Sequence, residues 1–134
     1  MAVRIRIAQP EDLLSAPPGE IVVLVAEVDG TMAGMIELVI RSEMPPDHQI
    51  LVPRLMAEVH TVVLEPFRGA GVGSTLVEAA EREAAQRGVV GLIAPILAPN
   101  TEAVSFYSRA GFGAHGVLLR KDLPAADDSG TCPA

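Results

Sequence analysis

The sequence contains no tryptophan, one tyrosine, three phenylalanines and one cysteine among its 134 residues. A single cysteine, Cys132, excludes an internal disulfide and any metal site that needs two cysteine ligands. No apolar run reaches the roughly 18 residues that a membrane span needs, and the amino-terminal residues lack the apolar core of a secretion signal. We therefore expect an intracellular, cytoplasmic protein without a membrane partner.

Positive charge is also scarce, because 10 lysines and arginines stand against 17 aspartates and glutamates, for a formal net charge of -7. Nucleic-acid-binding proteins usually present a basic face that neutralises phosphates, so we expect no nucleic-acid partner. An acidic balance fits a cationic partner better, although most acidic surfaces serve solubility alone. Nearly half of the residues are apolar, which is enough for the core of one compact domain.

The first half of the chain carries strand signals. Residues 3–7 alternate apolar and charged side chains, as a half-buried strand does. Two further strand-like runs, 21–28 and 32–40, flank Asp29-Gly30, which predicts a hairpin with a two-residue turn. Residues 41–54 contain three prolines and predict an irregular loop. Between the first two strands there is room for one helical turn only.

The second half alternates strands with helices. Residues 55–65 are rich in β-branched side chains and predict a long strand. Apolar spacing from Gly71 to Arg87 predicts a helix that ends at Gly88. The apolar run 89–99 predicts a strand covered on both faces, although Pro95 has no N–H to donate.

The last elements complete a mixed sheet. A short helix is predicted from Asn100 to Gly111, a final strand over residues 112–123, and a disordered tail over residues 124–134. The helices imply parallel crossovers, whereas the hairpin is antiparallel. The predicted fold class is α/β (α+β): one domain, residues 1–123, with an antiparallel front half and a parallel βαβ back half.

Residues 68–74, RGAGVGS, place three glycines between an arginine and a helix. A P-loop is excluded because no lysine follows the last glycine, and a dinucleotide fingerprint is weak because the following strand carries no acid. A pyrophosphate site is the third interpretation, since glycines let the backbone approach closely and helix-start N–H groups attract anions. On the loop alone, a tight connection that binds nothing is an equal alternative.

The spacing Arg68-x-x-Gly71-x-Gly73, followed by Asn100 and AVSFYSRAGF, resembles the GNAT superfamily of acyl-CoA-dependent N-acetyltransferases over residues 56–121. The resemblance implies that acetyl-CoA, as co-substrate and without a metal, lies between the fourth and fifth strands, which splay apart. It implies pyrophosphate contacts from Arg68, Gly69, Ala70, Gly71, Val72, Gly73 and Ser74. It also implies contacts with the pantetheine arm from Val62, Val63, Leu64 and Asn100.

The resemblance also implies that Tyr107 protonates the departing CoA sulfur; the alternative is that it only packs the helix. For the general base, alternation places Glu58 and His60 on one face of the fourth strand. Glu58 is the first candidate and His60 the second, because a histidine exchanges protons near neutral pH. Both could equally be ordinary polar residues of a partly solvated face. A backbone N–H of Val62 or Val63 would polarise the thioester carbonyl.

The acceptor side departs from the family, whose members usually carry one or two helices between the first and second strands. The acceptor pocket is therefore open, or completed by residues 41–54, or completed by a second subunit in a homodimer. Glu27 and Glu37 on the hairpin are candidates for an anionic lining of this pocket.

Three functions remain open at this point. The first is an acetyl-CoA-dependent N-acetyltransferase that acts on a primary amine of a small molecule or peptide by direct attack in a ternary complex. The second is a non-catalytic acyl-CoA-binding sensor or regulatory module. The third is a structural domain whose glycine loop binds nothing.

Overall fold

The computed structural model describes residues 2–13, 20–43, 54–96, 99–114, 116 and 119–125. Five strands form one sheet in the order β1-β2-β3-β4-β5: β1 Val3–Ile7, β2 Ile21–Val28, β3 Thr31–Glu43, β4 Arg54–Val63 and β5 Gly91–Ile93. The helices are α1 Val72–Gln86 and α2 Thr101–Arg109, with short 3-10 turns at Pro10–Asp12 and Glu65–Phe67. The first three strand pairs are antiparallel and the last is parallel, which confirms the predicted mixed sheet.

The hairpin lies where the sequence predicts it. Asp29 and Gly30 connect β2 to β3 with φ values of 51° and 82°, the left-handed values that a tight two-residue turn requires. The pairing shifts by one residue between Ala26 and Glu27, which marks a bulge beside the turn. The rest of the β2–β3 pairing is regular, so the register determines which side chains of the two strands lie on each face of the sheet.

Helix α1 covers one face of the sheet, because its apolar stripe matches the alternating apolar positions of the strands. The buried core on this face contains Leu76 and Val77 of α1 together with Ala57 and Val59 of β4. Gly88, with φ 80°, ends the helix as predicted, and the next N–H, from Val89, donates to the carbonyl of Ala84.

The opposite face of the sheet carries polar side chains of β3 and β4. By alternation, Glu58 and His60 of β4 lie there beside Glu37 and Arg41 of β3. The 3-10 turn Pro10–Asp12 is the one helical element that the described residues provide between β1 and β2. The acceptor side predicted from the sequence is thus largely formed by bare strands in the part of the chain that the structure describes.

An ion cluster fixes this turn to the sheet. The guanidinium of Arg6 binds both carboxylate oxygens of Asp12, at 2.6 and 3.1 Å, and also binds Glu27. The hydrogen bond from Arg6, helped by one from the backbone N–H of Gln9, lowers the pKa of Asp12 to about 2. The hydrogen bond from Arg6 to Asp12, followed by its hydrogen bond to Glu27, raises the pKa of Arg6.

Strand β4 extends beyond the end of its pairing with β5. The parallel pairing stops at Glu58 and Ile93, whereas β4 continues to Val63 in register with β3. Pro95, which cannot donate to a ladder, follows two residues after β5 ends. Within the described ranges, no strand pairs with the last five residues of β4 on this side, so the two strands part as predicted.

Three strand predictions are wrong. Strand β5 spans Gly91–Ile93 and, among the described residues, does not extend over the predicted range 89–99. Residues 41–43 belong to β3 rather than to a loop, because the backbone can keep pairing with β4 until just before Pro45. The predicted final strand, 112–123, is not found in its described residues. β5 offers it an edge of three residues only, and Leu119 and Leu123 are 87% and 78% exposed, so no buried face forms.

Several predictions fall on residues that the structure does not describe. These are most of the loop 44–54, most of the tail 124–134, and residues 14–19 between β1 and β2. Among the described residues, no helix has the length and apolar character needed to cross a membrane.

Candidate active site

Among the residues that the structure describes, the glycine loop presents six consecutive backbone N–H groups that make no hydrogen bond to the protein. In the described part of the chain, none of the amides of residues 69–74 donates to a protein oxygen. The next amide, that of Thr75, donates to the carbonyl of Gly71 at 3.0 Å. Amides at a helix start carry partial positive charge and bind phosphate oxygens. The loop therefore has the donors that the predicted pyrophosphate contact needs.

Two kinds of constraint explain the glycines. Gly69 and Gly71 have φ values of 80° and 84°, which favour glycine because a Cβ would be strained there. Gly73 is different, because a Cβ on it would lie 3.0 Å from the ring of Phe106 in α2. Gly73 thus lets α2 pack against the start of α1, a reason that the motif alone does not reveal.

Arg68 joins the loop to the open side of β4. Its Nε donates to the carbonyl of Val63 at 3.0 Å, and its side chain is exposed. This bond holds the guanidinium at the end of β4, and Arg68 immediately precedes residues 69–74 in the chain. The placement agrees with the predicted role of Arg68, which stays a prediction.

The backbone of β4 is open on the side where β5 has departed. Leu64 is not part of this opening, because its N–H donates to Ala33 at 2.8 Å and its carbonyl accepts from Phe67 at 2.9 Å. Successive residues of a strand point their backbone groups to alternate sides. Val63 and Thr61 therefore direct N–H and C=O groups towards the opening, whereas Val62 directs its groups towards β3.

This geometry refines the predicted contacts of the pantetheine arm. Of Val62, Val63 and Leu64, only Val63 presents its backbone to the open side of β4. Its N–H is also the better placed of the two predicted donors to a thioester carbonyl. The second open N–H is that of Thr61, a residue that the sequence analysis does not single out.

Tyr107 is held at this opening. It is 8% exposed, and its hydroxyl donates to Oγ1 of Thr61 at 2.9 Å. The ring makes edge contacts with Phe106 and Phe112, at centroid distances of 4.9 and 5.1 Å. The aromatic contacts fix the ring, and the hydrogen bond fixes the phenol at the unpaired stretch of β4.

Glu58 and His60 lie close together, as predicted, but on the other face of β4 from Tyr107. The Nε2 atom of His60 is 3.6 Å from Oε2 of Glu58. The other carboxylate oxygen, Oε1, is 3.3 Å from Nη2 of Arg41. The sequence does not identify Arg41 as a neighbour of Glu58, because it predicts a loop from residue 41. Arg41 lies on this face because β3 extends to Glu43.

Asn100 caps α2. Its side-chain oxygen accepts from the N–H of Ala103 at 3.1 Å, as an N-cap asparagine does. The capping bond leaves the carboxamide nitrogen without a protein partner among the described residues. The predicted contact of Asn100 with the pantetheine arm stays a prediction.

The two candidate lining residues differ. Glu27 is engaged by Arg6, so its charge is compensated within the protein. Glu37 is half-buried and lies opposite His60 in the β3–β4 register. No ion pair involves Glu37 within the described residues, so Glu37 is the better candidate for an acceptor contact.

The geometry can be compared with known proteins. Residues 4–112 match the model of the acetyltransferase (GNAT) family, which is most of the chain. The chain belongs to this GNAT acetyltransferase family. No curated protein matches the sequence.

Solved structures share the GNAT fold. Aminoglycoside N-acetyltransferase AAC(6')-Iy in complex with CoA aligns with a TM-score of 0.72 at 18% identity, over 92% of this chain and 96% of that one. Glucosamine-6-phosphate N-acetyltransferase from Arabidopsis thaliana aligns with a TM-score of 0.70 at 16% identity, over 92% of this chain and 100% of that one. A transcriptional regulator from Bacillus halodurans C-125 aligns with a TM-score of 0.71 at 20% identity, over 91% of this chain and 100% of that one. Identities this low show the fold alone.

Membership of the GNAT family confirms the resemblance, the fold class and the enzyme class predicted from the sequence. The protein is an acetyltransferase of the GNAT type, and its glycine loop and α2 motif lie at the same opening of the sheet.

Proposed function

We propose that the protein transfers the acetyl group of acetyl-CoA to a primary amine of a small molecule or peptide, by direct attack in a ternary complex. The observation that carries the proposal is that, within the described part of the chain, the amides of residues 69–74 have no protein acceptor and lie beside a stretch of β4 that pairs with no strand on its β5 side. An anion held by the amides would place an extended arm along Val63 and Thr61. The reactive end of that arm would then lie near the phenol of Tyr107.

Acetyl-CoA supplies an activated acyl group, and the protein supplies the contacts around it. In this proposal, residues 68–74 bind the pyrophosphate and the N–H of Val63 polarises the carbonyl. Tyr107 donates a proton to the sulfur as the carbon–sulfur bond breaks. Starting from the acceptor ammonium, the nitrogen loses two protons: one replaces the proton that Tyr107 gives to the sulfur and the other is released, so the products are the amide, the CoA thiol and one proton.

The acceptor enters from the polar face, where Glu58 and His60 are the candidates for its base. Tyr107 and these two residues lie on opposite faces of β4, which suits an acid and a base that act on opposite sides of one carbonyl. The formal charge of -7 and the half-buried Glu37 favour a cationic acceptor. We further propose a cytoplasmic location; a homodimer remains an alternative way to complete the pocket.

The proposal is tested by counting the CoA thiol released when acetyl-CoA is mixed with a panel of primary amines. We expect release that depends on both the amine and the enzyme, with an acetylated amine detected by mass spectrometry. Thiol release that is the same with and without every amine would contradict the proposal.

A non-catalytic acyl-CoA sensor is the second candidate. One observation favours it: in the described residues, a single 3-10 turn stands between β1 and β2, so the acceptor side is sparsely built. Calorimetry of CoA binding, combined with the thiol-release assay, distinguishes the sensor from the enzyme. Tight CoA binding without thiol release dependent on an amine would support the sensor, whereas both together support the enzyme.

A further inference from the structure

The two oxygens of the Glu58 carboxylate have different partners. Oε1 faces the guanidinium of Arg41 at 3.3 Å, and Oε2 faces Nε2 of His60 at 3.6 Å. The Glu58 side chain is 27% exposed, whereas those of Arg41 and His60 are 48% and 46% exposed. Glu58 therefore lies between two donors and is the least accessible of the three to an incoming amine.

This arrangement ranks the two candidate bases. Each oxygen of Glu58 already faces a cationic or donor group of the protein, and the Glu58 side chain is 27% exposed, so an incoming ammonium has better access to the imidazole of His60 than to this carboxylate. The guanidinium does not give up its own proton in the working range of an enzyme. The imidazole of His60 is exposed, and histidine is the side chain suited to exchanging protons near neutral pH.

The charged groups around His60 support the same assignment. Glu37 of β3 lies opposite His60, and Glu58 precedes it on the same face of β4. The nearby arginine, Arg41, is engaged with Glu58. On the other side, β5 ends at Ile93, which brings no charge. The imidazole thus lies 3.6 Å from the carboxylate of Glu58 and has Glu37 as its cross-strand neighbour.

We propose that His60 accepts the proton of the acceptor ammonium, and that Glu58 and Arg41 are positioning residues for it. In neutral imidazole one nitrogen donates and the other accepts, so with Nε2 towards Glu58 the accepting nitrogen is Nδ1. The substrate R–NH3+ gives one proton to Nδ1 and becomes R–NH2, whose lone pair attacks. The imidazolium then releases that proton to solvent. Arg41 holds Oε1, so that Glu58 turns Oε2 to the imidazole. This inference rests on the proposed acetyltransferase function.

The test is kcat/KM for an amine that the wild type acetylates, measured from pH 5.5 to 9.5. His60→Asn is expected to lose on the order of 100-fold at pH 7. Its rate should recover as the pH rises, because the free amine then forms without a base. Glu58→Gln removes a negative charge near the imidazole and should move the acid limb, the low-pH rise of kcat/KM, to lower pH. Arg41→Met removes a positive charge and should move the same limb to higher pH.

The control is Arg82→Met, which removes one arginine from the exposed side of α1 and should leave the profile unchanged. Calorimetry with CoA and melting temperature monitor folding, and His60→Gln is the second variant if His60→Asn does not fold. Wild-type rates in both His60 variants, together with inactive Glu58→Gln, would overturn the inference while leaving the proposed function intact. Opposite acid-limb shifts in Glu58→Gln and Arg41→Met are the result that a merely structural role does not produce. A wild-type protein that acetylates no amine would overturn both the assignment of His60 and the proposed acetyltransferase function.

Discussion

The hydroxyl of Tyr107 donates a hydrogen bond to Oγ1 of Thr61 at 2.9 Å, joining two residues that are 46 positions apart in the chain. The bond connects α2 with β4 at the stretch where β4 has lost β5 as a neighbour. It gives the phenol a fixed position at this stretch of β4. The GNAT chemistry that we propose depends on this junction of helix and strand.

Tyr107→Phe is expected to lower kcat on the order of 100-fold or more, because general acid catalysis of this kind contributes that much. CoA affinity should change little, since the ring and its contacts with Phe106 and Phe112 remain. Steady-state thiol release and calorimetry measure the two quantities separately. A variant with normal kcat would remove Tyr107 from the chemistry.

Thr61→Val is expected to destabilise the fold by about 1–3 kcal/mol, because the buried phenol of Tyr107 loses its hydrogen-bond partner. Thr61→Ser keeps the hydroxyl and is the matched control. Urea denaturation of both variants gives the difference in the free energy of unfolding. Equal stabilities would show that the Tyr107–Thr61 bond contributes nothing.

Arg68→Ala is expected to weaken CoA binding about tenfold, because an exposed guanidinium adds a modest charge interaction to that of the amides. The kcat value should stay close to that of the wild type. The control is Arg87→Ala at the far end of α1, where the side chain pairs with Glu83. Calorimetric titrations that place both variants at wild-type affinity would exclude a role for Arg68 in binding.

Gly71→Ala is expected to cost about 1–2 kcal/mol of stability, because residue 71 has a φ of 84°. Gly113→Ala is the control, since Gly113 does not have a positive φ and a Cβ there, as at Gly71, meets nothing within 4 Å. Thermal denaturation should therefore show a lower melting temperature for the first variant alone. Indistinguishable melting temperatures would mean that the loop tolerates a side chain at residue 71.

Acid stability should depend on Asp12. Its pKa falls from 3.8 to about 2 on folding, so its contribution is present above about pH 4 and is lost as the pH falls towards 2. Asp12→Asn should be less stable than the wild type at neutral pH and should lose less stability between pH 4 and pH 2. Melting temperatures across this range test the sign, with the exposed Asp122→Asn as control. An unchanged acid limb in Asp12→Asn would contradict the role of the Arg6 cluster.

Local patterns predict the hairpin, α1 and the glycine loop, because each depends on neighbouring residues. Asp29-Gly30 defines a turn, and the apolar stripe from Gly71 to Arg87 defines a helix, whatever the rest of the chain does. The same holds for the choice of Tyr107, which follows from a motif within one helix.

Tertiary relationships are not visible in such patterns. The strand predicted over residues 112–123 fails because a strand needs a neighbouring edge, and β5 has three residues. Arg41 reaches Glu58 only because β3 continues past its predicted end. The separation of Tyr107 and Glu58 onto opposite faces of β4 follows from the Tyr107–Thr61 bond, which no local spacing predicts.

The central claim, that the amides of residues 69–74 bind the pyrophosphate of CoA, is tested most directly by NMR on the 15N-labelled protein. On titration with CoA, we expect the amide resonances of residues 69–74 to shift and saturate together. Pantetheine, which lacks the diphosphate, should leave them in place. Saturating CoA that shifts resonances elsewhere but not those of residues 69–74 would contradict the account.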